Sequence, residues 1–370
     1  MRPDASAGGA GGGDDDVSTT HPPTEAAVMH DDDANARCLH ALPSIMEAST
    51  TEDIEVLGRR LTLEVDPARL NEAGVVWGPA VKALADAVAP VLLRRRREKF
   101  LAFFANDDGG CHASSTSDGA SIGNDDRARV SCLELGAGTG ALGIALAAAV
   151  PDLDVTLTDL PRVVPLLARN AARAAREDAR HVRDGGTLAP GSAVDVAALD
   201  WAADRVPPPP PRRPTDAAGG EEAREDEGEG NRGRAWDVVL GCEILYWGGW
   251  DIFDEDTRGP LLSTLVAACE SGGGRGGDGG DGGHETEIAL AFTVRDKSRE
   301  TGFVLGEMGD VFWLRLLDGD GGGVDERRDA ARLARDDAEA RAALTAAAEG
   351  DLILFGGALK NRGRGWPEDG

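Results

Sequence analysis

Cysteine is scarce in this chain, and its spacing forms no pattern. Cys38, Cys111, Cys132, Cys242 and Cys269 are odd in number and scattered, with no Cys-x-x-Cys. This excludes a disulfide framework and fits a reducing compartment, so a cytoplasmic protein is expected, with the nucleus as a second location. The six histidines all lie outside the apolar strand segments. No metal-ligand spacing is present, and no metal is expected. Basic residues are outnumbered: 39 Lys and Arg against 66 Asp and Glu leave a net charge of −27 at pH 7. A phosphate backbone needs a basic footprint, so nucleic acid is not an expected partner. The charge favours solubility and a basic partner, for example a lysine-bearing protein segment. No apolar run approaches bilayer-spanning length, and residues 1–50 lack the basic start and apolar core of a signal peptide. Neither a membrane nor a leader is expected. Tyrosine occurs once, as Tyr246.

Glycine and proline, 50 and 19 residues of the 370, are partly gathered into low-complexity stretches that cannot bury apolar surface. Residues 1–50 read as a disordered acidic and Gly-rich tail, 51–360 as one domain, and 361–370 as a second tail. The domain is interrupted by polar insertions at about 106–127, 207–234 and 271–285. A monomer is the default.

The most informative stretch is Cys132-Leu133-Glu134-Leu135-Gly136-Ala137-Gly138-Thr139-Gly140-Ala141-Leu142-Gly143, followed by Leu157-Thr158-Asp159. It reads as strand, glycine turn, helix, strand and acid, a geometry that holds a nucleoside at the edge of a parallel sheet. Asp159 stands where a carboxylate accepts hydrogen bonds from ribose hydroxyls. Two readings follow. Gly138-x-Gly140-x-x-Gly143 by itself satisfies the dinucleotide pattern of a nicotinamide dehydrogenase. Glu134, an acid inside the strand, with Gly136 directly after the strand, fits better the first motif of class I S-adenosylmethionine (SAM) methyltransferases. A cationic amine is attracted by an acidic loop edge, whereas a pyrophosphate needs helix amides and no nearby anion.

Along the chain, residues 53–65 alternate loosely as a small hairpin or edge strand. Val75-Val76-Trp77 leads through Gly78-Pro79 into a helix over 80–93, with Val81, Leu84, Ala85, Val88 and Leu92 on one face, closed by the basic residues Arg94 to Arg97. Strands are expected at 130–135, 155–158, 193–199, 236–241, 287–294, 311–317 and 352–359. Helices are expected at 141–149, 161–178 and 260–270, and 330–348 reads as a surface helix or a lid. Strands alternating with helices indicate one doubly wound α/β domain.

At five stations in order, the chain resembles the seven-β-strand protein-lysine methyltransferases of methyltransferase family 16. They are Val76-Trp77; Leu133 to Gly140; Thr156-Leu157-Thr158-Asp159-Leu160-Pro161 with Leu166, Leu167 and Asn170; Leu199-Asp200-Trp201; and Trp236 to Tyr246, ending in the Glu243-x-x-Tyr246 motif. Glu243 stands where aspartate is more usual, and Gly78-Pro79 replaces the Asp-Ala-like pair that commonly follows the tryptophan. The resemblance implies a Rossmann-like seven-stranded sheet, the class I methyltransferase fold, and SAM as cofactor. It implies that Gly136, Ala137 and Gly138 make room for the methionine portion, Asp159 accepts the ribose, Trp201 and the backbone near Cys242 flank adenine, and Trp77 closes over the cofactor. The acceptor implied is a lysine amine of a non-histone protein. Glu243 would hold the ammonium on arrival, and Tyr246 with backbone carbonyls would aim its lone pair. Arg295 matches an arginine in relatives, which implies a contact to substrate or a brace for the site, the brace being the preferred reading. Rival readings are an N-methyltransferase of a small-molecule amine, a non-catalytic SAM-fold interaction module and the dehydrogenase.

Overall fold

In the computed structural model, strands β3 (Val130–Leu135) and β4 (Leu153–Asp159) are buried along their whole length. Such continuous burial belongs to parallel strands covered on both faces. The residues described are 50–105, 129–180, 188–210, 235–245, 257–270, 286–317 and 330–360. The expected tail at 361–370, the insertions at 106–127 and 271–285, and most of that at 207–234 lie outside them, as does all but the last residue of the tail at 1–50.

A hairpin opens the described chain, β1 (Thr50–Val56) against β2 (Arg59–Val65). Its two turn residues, Leu57 and Gly58, both have positive φ (52° and 68°), the backbone that a tight hairpin turn of this length requires. The central sheet has the order β5-β4-β3-β6-β7-β9-β8, with β5 (Ala193–Ala198), β6 (Val238–Cys242), β7 (Glu287–Thr293), β8 (Phe312–Leu316) and β9 (Leu352–Leu359). Pairing is parallel from β5 to β7, while β9 runs antiparallel to both β7 and β8. The longer helices among the described residues are α1 (Gly78–Ala105), α2 (Ala141–Ala149), α3 (Val164–Arg180), α4 (Arg258–Glu270), α5 (Lys297–Phe303) and α6 (Ala330–Ala346). This is the doubly wound seven-stranded fold of class I methyltransferases that the motifs imply. The chain winds outward from β3 through β4 to β5 and, in the other direction, from β6 to β7. The strand order therefore reverses between β3 and β6, and open α/β sheets bind ligands at the carboxyl side of such a point.

Two expectations are corrected. Helix α1 does not end at Arg94–Arg97 but runs on to Ala105, through Pro90. Its cations are held by acids at the amino edge of the sheet. Arg94 and Arg95 lie 4.0 and 3.6 Å from Glu287, and Arg96 and Lys99 lie 2.6 Å from Asp152 and Asp237. These pairs sustain a helix that loses one backbone hydrogen bond at the proline. Mean hydropathy, 1.4 over its most apolar window, makes the stretch Pro67–Leu101 long and apolar enough to cross a bilayer by composition alone, although no single run does. Its face of Val81, Leu84, Ala85, Val88 and Leu92 is instead buried in the core. Helix α6 is not a bare surface helix: Ala340 and Leu344 are fully buried, and Asp337 accepts the Leu314 amide of β8 at 3.0 Å. The turn after β7 also holds α5, which the sequence pattern did not disclose. Asp296 caps it by accepting the Arg299 amide.

Candidate active site

At the carboxyl ends of β3, β4 and β6 lies a cavity of about 380 Å³, the size of a small-molecule site. Nine of the ten residues singled out from the sequence line it: Trp77, Glu134, Gly136, Ala137, Gly138, Asp159, Trp201, Cys242 and Glu243. Tyr246, the tenth, lies outside the described residues.

The floor is the turn between β3 and α2. Gly136 has φ +61°, and a Cβ there would stand 2.8 Å from Ile244 Cγ2 and 3.4 Å from the Trp201 ring. Glycine is thus required both by backbone conformation and by the approach of β6 and the loop after β5. The turn is fastened to β4 from two sides: the Ala137 amide donates to the Thr158 carbonyl at 2.9 Å, and the Gly138 amide donates to Asp159 Oδ2 at 2.7 Å.

Asp159 also accepts the Leu160 amide on Oδ1 at 2.7 Å. Burial pushes this carboxyl above its ordinary range, and the two amides, with Arg162 beyond them, pull it back. A carboxylate offers about four acceptor sites, so capacity for a diol remains.

Glu134 has a task the motif did not reveal. Its Oε2 accepts the Gly143 amide at 2.9 Å, satisfying a donor in the first turn of α2 that has no partner within the helix. A Cβ on Gly143 would press to 2.5 Å from that oxygen. Burial raises the Glu134 carboxyl to about 8, opposed by the Gly143 amide and assisted by Asp159. At neutral pH it therefore carries a proton for most of the time. The neighbouring Cys242 thiol is also pushed up by burial, with Glu243 adding to the effect, so it stays protonated and is no nucleophile.

Glu243 sits at the end of β6 in a left-handed backbone conformation, φ +56°, which costs a non-glycine residue roughly 1–2 kcal/mol. Its amide donates to Ala291 at 2.8 Å. Its carboxylate, 2% exposed, accepts the Thr293 amide at 3.0 Å and hydroxyl at 2.6 Å on one oxygen, and Arg295 on the other. Arg295 also lies 5.5 Å from the Trp77 ring centroid, within cation–π range. The bracing expected of Arg295 is thus a specific ion pair joining β6, β7 and the start of α1.

One part of the site was missed in the sequence, and Asn170, named there within its helix motif, has a task that the motif did not reveal. The segment between the hairpin and α1 forms a wall: Glu72 and Ala73 line the cavity, and the Glu72 carbonyl accepts the Trp77 indole N–H at 3.3 Å. Asn170, buried on α3, donates to the Thr139 carbonyl at 2.9 Å and the Glu64 carbonyl at 3.0 Å and accepts the Glu64 amide at 2.7 Å. A lone amide on the apolar face of Val163, Leu166, Leu167, Ala171 and Ala174 was the available signal.

Among the described residues five acids line the cavity, Glu72, Glu134, Asp159, Asp200 and Glu243, against one cation, Arg162; with Glu134 protonated and Glu243 paired to Arg295, Glu72, Asp159 and Asp200 carry the excess. This lining suits a ligand carrying positive charge and a diol, with the Trp201 ring as an apolar wall. The cofactor implied by the motifs has those properties.

Residues 99–216 match the model of the Methyltransf_16 family, described as lysine methyltransferase. This is the family that the motifs resemble. The matched span holds Glu134, Gly136, Asp159 and Trp201 and leaves out Trp77 and Glu243. No curated protein matches the chain. Among solved structures, a predicted O-methyltransferase from Agrobacterium tumefaciens is 14% identical, with a TM-score of 0.32, over 66% of this chain and 79% of that one. The 16S rRNA N2 G1207 methyltransferase of T. thermophilus, in complex with AdoMet and guanosine, is 14% identical with a TM-score of 0.37, over 86% of this chain and 52% of that one. PKMT2 from Rickettsia typhi, in complex with AdoHcy, is 12% identical with a TM-score of 0.23, over 49% and 24%.

Proposed function

We propose that this protein transfers a methyl group from SAM to the side-chain amine of a lysine on a non-histone protein. One observation carries the choice of cofactor. The Glu134 carboxyl occupies the Gly143 amide at the start of α2, the place where a dinucleotide sets its pyrophosphate. A phosphate arriving there would meet an acid instead of free amides, which disfavours the dehydrogenase reading. The excess of acids around the cavity favours a cationic ligand in the same way. The acceptor class rests on the family description, lysine methyltransferase.

In this reading Gly136, Ala137 and Gly138 leave room for the methionine portion, with Glu134 facing its amine. Asp159 takes the ribose hydroxyls. Trp201 and the backbone near Cys242 flank the adenine, and Trp77 covers the cofactor. Bound SAM would supply a methyl carbon on a sulfonium, whose sulfur would keep the electron pair of the carbon–sulfur bond as the acceptor nitrogen takes the carbon. A lysine amine, pKa about 10.4, arrives as an ammonium and must lose a proton, which passes to bulk water, before it attacks. Glu243 supplies the negative charge at the acceptor end, and Tyr246 with nearby carbonyls aims the lone pair. Orientation then contributes most of the rate.

The test pairs calorimetry with product analysis. S-adenosylhomocysteine is expected to bind the purified chain and NAD is not. Labelled methyl groups are expected in lysate proteins as methyllysine. Binding of NAD alone, or label confined to small metabolites, would overturn the proposal.

A further inference from the structure

Glu243 is already paired, which bears on how it receives a second cation. Its two oxygens take three donors, two from Thr293 and one from Arg295. Arg295, however, has another carboxylate within reach. Glu300, 1% exposed on α5, accepts the Arg295 and Asp296 amides on Oε2 at 2.6 and 3.2 Å. Its Oε1 is buried without a hydrogen bond and stands 3.8 Å from Arg295 Nη1. That guanidinium nitrogen donates one of its two N–H groups in a long contact of 3.4 Å to the Leu245 carbonyl. A shift of about 1 Å would bring it to hydrogen-bond distance of Glu300.

We propose that Arg295 is a transferable counter-charge, which neutralises Glu243 until an acceptor ammonium arrives and then passes to Glu300. This rests on the reading of Glu243 as the acceptor end of a methyl-transfer site. Two buried carboxylates sharing one guanidinium leave one negative charge uncompensated. The molecule meets this by protonation. Burial raises the Glu300 carboxyl to about 7, with Glu243 adding to the rise and Arg295 opposing it. An arriving ammonium supplies the second cation. Glu300 then releases its proton, and the four charges pair as Glu243 with the ammonium and Glu300 with Arg295. A neutral acceptor such as an alcohol cannot drive the exchange, so the pair makes Glu300 a positioning residue that selects cationic amines.

The test titrates the full chain, saturated with S-adenosylhomocysteine, with n-butylammonium chloride. Arginine Nε–H groups are followed by ¹⁵N NMR, with Arg295 assigned by its loss in Arg295→Lys. A saturable shift of the Arg295 signal is expected, with none from n-butanol. Affinity is expected to be up to about tenfold higher at pH 8 than at pH 6, the change in the ionised fraction of a group titrating near 7. In Glu300→Gln the pH dependence should vanish and affinity at pH 8 should fall to the pH 6 value. An Arg295 signal that stays still while S-adenosylhomocysteine remains bound would overturn the proposal alone, as would an unchanged response in Glu300→Gln. If that variant fails to fold, equal wild-type affinity at pH 6 and 8 has the same force. Failure to bind S-adenosylhomocysteine would overturn both this proposal and the methyl-transfer reading.

Discussion

Glu134 carries a proton for most of the time at neutral pH because its carboxyl is buried, and a bound cation would remove that proton. Raised to about 8 in the free protein, the group is pulled downward when an ammonium lies beside it. Affinity for S-adenosylhomocysteine is therefore expected to rise severalfold from pH 6 to 7.5 in the wild type and to stay flat in Glu134→Gln. Calorimetry in two buffers of different ionisation heat would register the released proton, and its absence would exclude a contact between this acid and the amine. Glu134 was legible in the sequence as an acid before a glycine turn, and Glu243 as an acid before the lone tyrosine. Their charge states were not. The partner that dominates Glu243 is Arg295, 52 positions away, and no local pattern announces such a pairing.

Among the elements, the hairpin and the glycine turn are joined by one side chain. Asn170 bonds β2 at Glu64 and the turn at Thr139. Asn170→Ala would remove three hydrogen bonds to buried or part-buried backbone groups at a cost of about 2–3 kcal/mol. Arg169→Ala, which removes an ion pair between Glu64 and a half-exposed arginine, should cost under about 1 kcal/mol. Urea unfolding of the two variants separates them; equal losses would mean that the amide is not the clamp. The strands and their order along the chain could be read from apolar runs and turn residues. The end of α1 could not, since Arg94–Arg97 look like the basic last turn of a helix until Asp152, Asp237 and Glu287 are brought alongside by the sheet.

At the scale of the whole molecule, three buried carboxyls among the described residues, Glu134, Asp159 and Glu300, titrate above their ordinary values. The folded state therefore binds more protons than the unfolded chain over this interval. The resulting stability is present at low pH and is lost as pH rises from about 4.5 through 7 and 8, by at most about 1.4 kcal/mol per group per pH unit. The net charge of −27 adds self-repulsion in the same direction. The thermal midpoint is expected to be higher at pH 6 than at pH 8.5, and the difference to shrink in Glu134→Gln. A midpoint that rises over this interval would contradict the burial of these acids.

The order of the sheet strands along the chain, the glycine turn and the acids around it were determined by the sequence alone, because each depends on neighbours a few residues apart. The sharing of Arg295 between Glu243 and Glu300, the capping of α2 by Glu134 and the wall built from Glu72 and Ala73 were decided only by the tertiary structure. Those arrangements depend on which distant groups share a dry pocket, and burial sets their protonation and pairing more strongly than residue type does.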